Sequence, residues 1–293
     1  MRIGLGSAQF GMDYGISNPA GQVAQDEVRR ILELAAGSGV RVVDTAAAYG
    51  EAEARLGQSL PDGHPFSIVT KLPRLPAELT ARGTADWLRG ALDLSLKRLR
   101  SERVYGLLVH DVHDLLGPRG EDLWDAMQAL REAGSVAKVG ASVYAASEID
   151  SLLARLPPDL IQVPLNVFDQ RLVRSGHLAR LKAAGVEVHA RSVFLQGLLL
   201  MEPAGFADGH FAPARGALAA FQSAAHAMGR SPLQAAVAYA MSVPEVDVAV
   251  FGVTRRDQFA EILSAGTAPL PQDWFASFAL EDDRILNPSM WPR

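Results

Sequence analysis

A (β/α)8 barrel is the fold this sequence predicts, and three observations carry that expectation. Short apolar runs alternate with amphipathic helical periods along nearly the whole chain, and eight such units fit into 293 residues. The runs are apolar throughout rather than alternating, as strands of a parallel sheet covered on both faces are. No Pro-, Gly- or Ser-rich linker separates the units, so residues 1–293 are expected to form a single domain.

The first strand is expected in residues 2–8 (RIGLGSA), followed by an amphipathic helix over 25–39 that ends at Gly37 and Gly39. The second strand is RVVDTA, with a helix over 50–60. The third is FSIVTKL, with TADWLRGALDLSLKRLR behind it and Thr84 as the expected N-cap. VYGLLVHD, AKVGASV and LIQVPLNV follow as strands four to six, each with a helical stretch after it. EVHARSV is the seventh, separated by a long loop (residues 198–215) from two helical stretches over 218–241. VDVAVFGV is the eighth, followed by RRDQFAEILSA. The tail from Thr267 onward has no strong period and is expected to pack on the barrel as a C-terminal segment.

Composition excludes several classes. Hydrophobic residues make up 48% of the chain and charged residues 21%, which suits a soluble protein with a large core. A net charge of −5 argues against general affinity for nucleic acid or anionic membrane. There is no cysteine, hence no disulfide or thiolate metal site, and no clustered His/Asp spacing that would hold a metal. The N-terminus lacks the apolar h-region of a signal peptide, and no apolar run approaches the ~20 residues of a membrane span. A cytoplasmic location is expected. Gly4 and Gly6 open as a dinucleotide fingerprint would, but Gln9 holds the third glycine's place and turn residues follow instead of a helix.

In a barrel of this kind, catalytic side chains sit at the C-terminal ends of the strands. Those ends carry Asp44, Lys71 and His110, with Tyr49 on the loop after strand two. Lys71 closes an apolar strand, where an ammonium is costly to bury without an anion, and Asp44 on the neighbouring strand is the expected partner. Together these four residue types suit carbonyl reduction with a tyrosine as general acid. The buried ammonium is expected to lower the phenol's pKa, and a neutral imidazole to orient the carbonyl oxygen. The hydride must come from a cofactor.

VVDTAAAYG, SIVTK and GLLVH carry a resemblance to the aldo-keto reductase superfamily, and the similarity runs from GLGSAQFG to the last barrel helix. The resemblance implies the catalytic tetrad Asp44, Tyr49, Lys71 and His110 and a metal-free reaction with NADPH, NADH being possible. It implies that Ser142 and Gln162 hold the nicotinamide carboxamide. It also implies that Arg191, Ser192, Phe194, Gln196 and Gly197 lie along the nicotinamide and pyrophosphate. Gly252, Thr254, Gln258 and Glu261 would then lie at the adenosine 2′-phosphate. Arg191 stands where the family usually has an aromatic ring, Val143 where it has asparagine, and Gly252 and Gln258 where many members are basic. The implied substrate is a small carbonyl or alcohol. Gln9, Asp13, Tyr14, Arg74, Asp111 and His113 around the mouth would favour a polar, sugar-like one. The oligomeric state is open.

Two other readings use the same residues. Lys71 could act as a Schiff-base nucleophile in a lyase or aldolase, or the chain could be a non-catalytic, cofactor-binding regulatory subunit. The 198–215 loop leaves strand seven beside the expected pyrophosphate segment, and its length suggests a clasp folding over the cofactor.

Overall fold

The computed structural model describes residues 2–61, 63–206, 208–266 and 270–292. Eight parallel strands close into a barrel in chain order: β1 (Ile3–Gly6), β2 (Val42–Asp44), β3 (Ser67–Leu72), β4 (Val104–Val109), β5 (Val136–Ser142), β6 (Leu160–Pro164), β7 (Glu187–Arg191) and β8 (Val248–Gly252). The last strand pairs with the first in register from Ile3↔Ala249 to Gly6↔Gly252, which removes every sheet edge. Around the barrel run α1 (Gln25–Gly37), α2 (Ala52–Ser59), α3 (Ala81–Leu99), α4 (Gly120–Glu132), α5 (Ala146–Arg155), α6 (His177–Ala183), α7 (Arg215–Ala227), α8 (Pro232–Ser242) and α9 (Arg256–Ala265). In α1 the buried residues Val28, Ile31, Leu32 and Ala35 recur at helical spacing, the stripe that faces the sheet.

The start of α3 differs from the expectation. Thr80 occupies the N-cap position and the helix begins at Ala81. Thr84 lies buried inside the helix, where its hydroxyl donates to the Thr80 carbonyl at 3.2 Å. A threonine can satisfy itself this way within a helix, so the residue type alone did not mark the boundary.

The strands also alternate more than their apolar content suggests. Val42, Val69, Leu108, Leu160, Val248 and Val250 form a small cluster of their own, distinct from the large apolar layer between barrel and helices. Side chains two residues on share the same face of a strand. Stepping forward by two from four of these residues gives Asp44, Lys71, His110 and Gln162. The inner face of the barrel therefore changes from apolar to polar toward the C-terminal ends. The outward residues, such as Val43, Ile68 and Ile161, are apolar and meet the helices.

A second polar group belongs to β7. Glu187 accepts from the Tyr105 hydroxyl at 2.6 Å, pairs with the His189 Nε2 at 2.7 Å and forms an ion pair with Lys138. Burial alone would raise the Glu187 carboxyl, but the hydrogen bonds from His189, Lys138 and Tyr105 outweigh it and hold the group at about 2. A depressed carboxylate pKa stabilises the fold above its unfolded value near 4.5 and loses that contribution as pH falls toward about 2. Glu187→Gln is therefore expected to lower stability at pH 7 by ~2–3 kcal/mol. The gap from the parent should close by about 1.4 kcal/mol per pH unit below the unfolded value. Urea denaturation at several pH values measures it, and a pH-independent gap would show that Glu187 is not held as the ion.

The tail packs on the barrel as expected for its described part, residues 270–292. Gln170 Nε2 donates to the Phe275 carbonyl at 2.8 Å, the Leu280 N–H donates to the Phe168 carbonyl at 2.8 Å, and Arg171 pairs with Asp283. Residues 267–269 lie outside the described residues. Among the described residues no helix is long and apolar enough to cross a membrane.

Candidate active site

The polar ends of β2, β3, β4 and β6 meet at one point. Asp44 and Lys71 are almost fully enclosed, at 4% and 1% exposure. The Lys71 Nζ donates to both carboxylate oxygens of Asp44 at 2.8 and 2.7 Å and to the Thr45 carbonyl at 2.9 Å. Gln162 Nε2 donates to Asp44 Oδ1 at 2.8 Å, so the carboxylate is fixed from two strands. The Tyr49 hydroxyl lies 3.5 Å from the Lys71 Nζ, and the ammonium sits 4.9 Å from the centre of the phenol ring. His110 meets that ring edge-on, with centroids 5.6 Å apart.

Local backbone explains why Tyr49 reaches this point. The Thr45 N–H donates to the Val69 carbonyl at 2.8 Å and the Ala47 N–H to the Lys71 carbonyl at 3.0 Å, so the loop continues the β2–β3 ladder before turning. A one-turn helix at Ala8–Gly11 then supports the turn from below. A Cβ at Gly11 would stand 1.9 Å from the Tyr49 carbonyl oxygen, so only glycine allows the two backbones to meet.

The electrostatics differ from the expectation in one respect. Burial and the Asp44 charge push the Tyr49 phenol up, not down. Burial also lowers the Lys71 ammonium, and Asp44 works against that shift. His110 is lowered to about 4 by burial and by the Lys71 and Arg191 charges, so its ring is neutral at pH 7. The site thus holds a protonated phenol beside an enclosed cation and a neutral imidazole.

Tyr49, His110 and Asp44 open onto a cleft of about 480 Å³ that runs from the ends of β4, β5 and β6 across β7 to the ends of β8 and β1. Of the residues expected along a cofactor, Ser142, Gln162, Arg191, Ser192, Phe194, Gln196, Gly197, Gly252, Thr254 and Gln258 line it. Lys71 does not reach the wall and lies behind Asp44 and Tyr49. Glu261 does not line it either: it is exposed on α9 and accepts from the Ser231 hydroxyl at 3.2 Å. Gln258 Oε1 accepts from the Thr254 N–H at 3.0 Å, closing the turn into α9.

An architecture shared with many enzymes leaves the family open, but the sequence match decides it. The family model described as "Aldo/keto reductase family" matches residues 2–279. The chain belongs to the aldo-keto reductase family. An aldo-keto reductase of Mycolicibacterium vanbaalenii is 30% identical over 197 residues, 63% of this chain and 64% of that protein. The aldo-keto reductase YhdN of Bacillus subtilis is 26% identical over 193 residues, 59% of this chain and 53% of that one. The chain therefore spans less than two thirds of the length of either relative. Among solved structures, the holo form of an aldo-keto reductase from Bacillus halodurans superimposes with a TM-score of 0.78 at 19% identity, covering 95% of this chain and 92% of that one. A glycerol dehydrogenase from Gluconobacter oxydans gives 0.72 at 21% identity, covering 100% and 93%. At such identities these two share the fold.

Several features of this aldo-keto reductase were not evident in its sequence. Arg191 lies with its Cζ 4.1 Å from the centre of the Tyr144 ring. Tyr144 follows Ser142 by two residues, the spacing that keeps a side chain on the inner face, so period-two counting past the end of β5 would have found it. Arg74, Asp111 and His113, expected at the substrate mouth, form a polar cluster outside the cleft lining, with Arg74 2.8 Å and His113 2.9 Å from Asp111. Asp13 lines a smaller neighbouring hollow, while Gln9 and Tyr14 do line the cleft.

The 198–215 segment is not a clasp over the cleft. Among its described residues only Leu200 lines the wall. Farther along, His210 bonds the Arg284 carbonyl at 2.8 Å and Phe211 packs on Trp291 at 4.7 Å, which ties the segment to the tail. The strap across the cleft comes from elsewhere. The Ile16 N–H donates to the Gln196 carbonyl at 3.0 Å, joining the loop after β1 to the loop after β7. At that junction Ser192, Leu195 and Gln196 all adopt positive φ without being glycine. Such strain gathers where surrounding contacts overdetermine the backbone, as at ligand-binding segments.

Proposed function

We propose that this chain is an NAD(P)H-dependent oxidoreductase that reduces an aldehyde or ketone to the alcohol, or runs the reverse, with Tyr49 as the general acid and base. The observation that carries the proposal is the Tyr49 hydroxyl 3.5 Å from a Lys71 ammonium that Asp44 locks in place, at the floor of an open cleft. A protonated phenol can give its proton to the oxygen of a carbonyl as that oxygen becomes negative. Lys71 then lies beside the phenolate that forms, where its charge is worth most. The neutral His110 ring can donate a hydrogen bond to the same oxygen and orient it.

The residues present fit a nicotinamide dinucleotide. Gln162 is fully enclosed, and among the described residues its Oε1 has no partner although the residue lines the cleft. An unpaired buried acceptor of this kind is costly, and a carboxamide N–H would satisfy it. The bound cofactor would supply the hydride, and Ser142, Gln162 and the Arg191–Gly197 segment would hold it. Toward β8, Arg255 lines the cleft, while Glu27 accepts from the Arg256 N–H at 2.6 Å and puts a carboxylate at the same helix start. NADPH is the proposed cofactor, and NADH is expected to be accepted as well.

The Schiff-base reading has less support, because Lys71 Nζ is enclosed by three acceptor oxygens and does not open on the cleft. A binding-only role is separated by turnover. Purified protein with NADPH or NADH should consume the reduced cofactor, followed by its absorbance, when given aldoses, keto-sugars or simple aldehydes. Polar substrates are expected to lead. Tight cofactor binding with no turnover across that panel would favour the regulatory reading.

Gly197 gives a prediction about the strap. Its φ is +96°, and a Cβ there would stand 1.8 Å from the Ser17 hydroxyl. Gly197→Ala is expected to push the two loops apart and weaken cofactor binding at least ~10-fold, while costing the fold only ~1–2 kcal/mol. Fluorescence titration with NADPH, set beside a thermal melt, checks it. Unchanged affinity would mean that the strap does not touch the cofactor.

A further inference from the structure

Arg191 is a cation on the cleft wall whose partners among the described residues are all neutral. Its Nε donates to the Ser142 hydroxyl at 3.2 Å, its Nη1 to the Ser192 hydroxyl at 3.2 Å and its Nη2 to the Val143 carbonyl at 3.0 Å. The Tyr144 ring covers the guanidinium at 4.1 Å. These contacts fix the group in place without cancelling its charge. The anion at this end of the cleft, Asp44, is already matched by Lys71 at 2.7 Å. Of the charges that act on His110, Lys71 and Arg191 oppose Asp44 and Asp111; Lys71 is paired with Asp44 and Arg74 with Asp111 at 2.8 Å, which leaves Arg191 as the surplus cation. The surplus charge acts locally: together with burial and Lys71, Arg191 helps keep His110 neutral.

We propose that Arg191 makes the site select the reduced form of the nicotinamide cofactor over the oxidised form. This rests on the reading of the cleft as a nicotinamide dinucleotide site. The two forms share their carboxamide, ribose and phosphate groups and nearly the same shape. They differ in the ring, which is neutral when reduced and a pyridinium cation when oxidised. Contacts common to both forms cannot discriminate between them, so the charge on the wall decides the difference in affinity. Hydride transfer to a carbonyl needs the ring beside Tyr49 and His110. Arg191 stands on that same wall, bonded to Ser142, whose strand partner Gln162 holds Asp44.

For two unit charges a few ångströms apart in a cleft open to water, the oxidised form should bind about tenfold more weakly. By linkage, a tenfold ratio raises the potential of the bound two-electron couple by about 30 mV. In carbonyl reduction the oxidised cofactor is the product, so Arg191 speeds its release. In alcohol oxidation the same residue demands more oxidised cofactor for saturation. The residue thus tilts the enzyme kinetically toward reduction.

The test is direct titration of the full chain with NADH, NAD+, NADPH and NADP+, by calorimetry or protein fluorescence. The reduced form is expected to bind about tenfold more tightly in both pairs, with the same ratio in each because the 2′-phosphate is common to both redox states. Arg191→Gln keeps donors but loses the charge, and it should bring the ratio toward one by tightening the oxidised form. Arg191→Lys should keep the ratio. A parent ratio within about twofold, or a tenfold ratio that survives in Arg191→Gln, overturns the proposal. The parent ratio decides even if the variant does not fold, and it should shrink as salt is raised. Failure of all four nucleotides to bind would overturn the nicotinamide reading itself and this proposal with it, whereas binding with a ratio of one overturns only this proposal.

Discussion

Replacing Tyr49 by Phe is expected to lower kcat for carbonyl reduction by ~10²- to 10⁴-fold, the usual worth of a positioned general acid. Cofactor affinity should change little, because Ser142, Gln162 and the strand-seven loop are untouched. Stability should also hold, since the Lys71 ammonium keeps both Asp44 oxygens and the Thr45 carbonyl when the 3.5 Å contact to the phenol is lost. The signature is thus a fall in kcat without a fall in melting temperature or cofactor affinity. A phenylalanine variant that kept a third or more of the parent activity would remove Tyr49 from the reaction. Burial holds the phenol protonated, so reduction should not lose its acid at neutral pH. The rate of proton transfer then depends on how well Lys71 stabilises the phenolate that forms.

Lys71→Met should be the most damaging substitution for the fold among the site residues. Asp44 would be left with one hydrogen bond, from Gln162 at 2.8 Å, in a place only 4% exposed. Breaking a buried pair by removing one partner typically costs ~3–5 kcal/mol, because the remaining charge loses its bonded counter-ion in a poorly hydrated place. A buried carboxylate without its bonded cation is costly as the ion and less so as the neutral acid. The variant's deficit should therefore be largest at neutral pH and shrink in acid. Adding Asp44→Asn should restore much of the stability but no activity. Urea denaturation of the two variants across pH checks this, and a deficit that the second substitution does not relieve would mean that packing around the lysine stem, not the charge, dominates.

The barrel and the site were legible in the sequence to different depths. Apolar runs separated by helical periods are local signals, and each strand and most helices fall where those signals stand. Asp44, Lys71 and His110 were legible because a polar residue ending an apolar strand has few places to go in a closed barrel. Thr84 misled because a threonine serves equally at a cap and inside a helix. The length of the 198–215 segment suggested a clasp, but length does not say which surface a loop meets. Its aromatic and polar groups found the tail instead.

What the sequence determined by itself is periodicity, and with it the barrel, the order of its strands and the residue types at their ends. The tertiary structure alone decided what those ends do to one another. The upward shift of Tyr49, the neutral state of His110 and the neutral partners that surround the Arg191 charge among the described residues all depend on burial and on neighbours contributed by other strands. The strap joins Ile16 to Gln196 across the cleft, from loops at opposite ends of the barrel's strand order. Such effects scale with distance in space and with exclusion of water, and neither quantity is written in the spacing of residues along a chain.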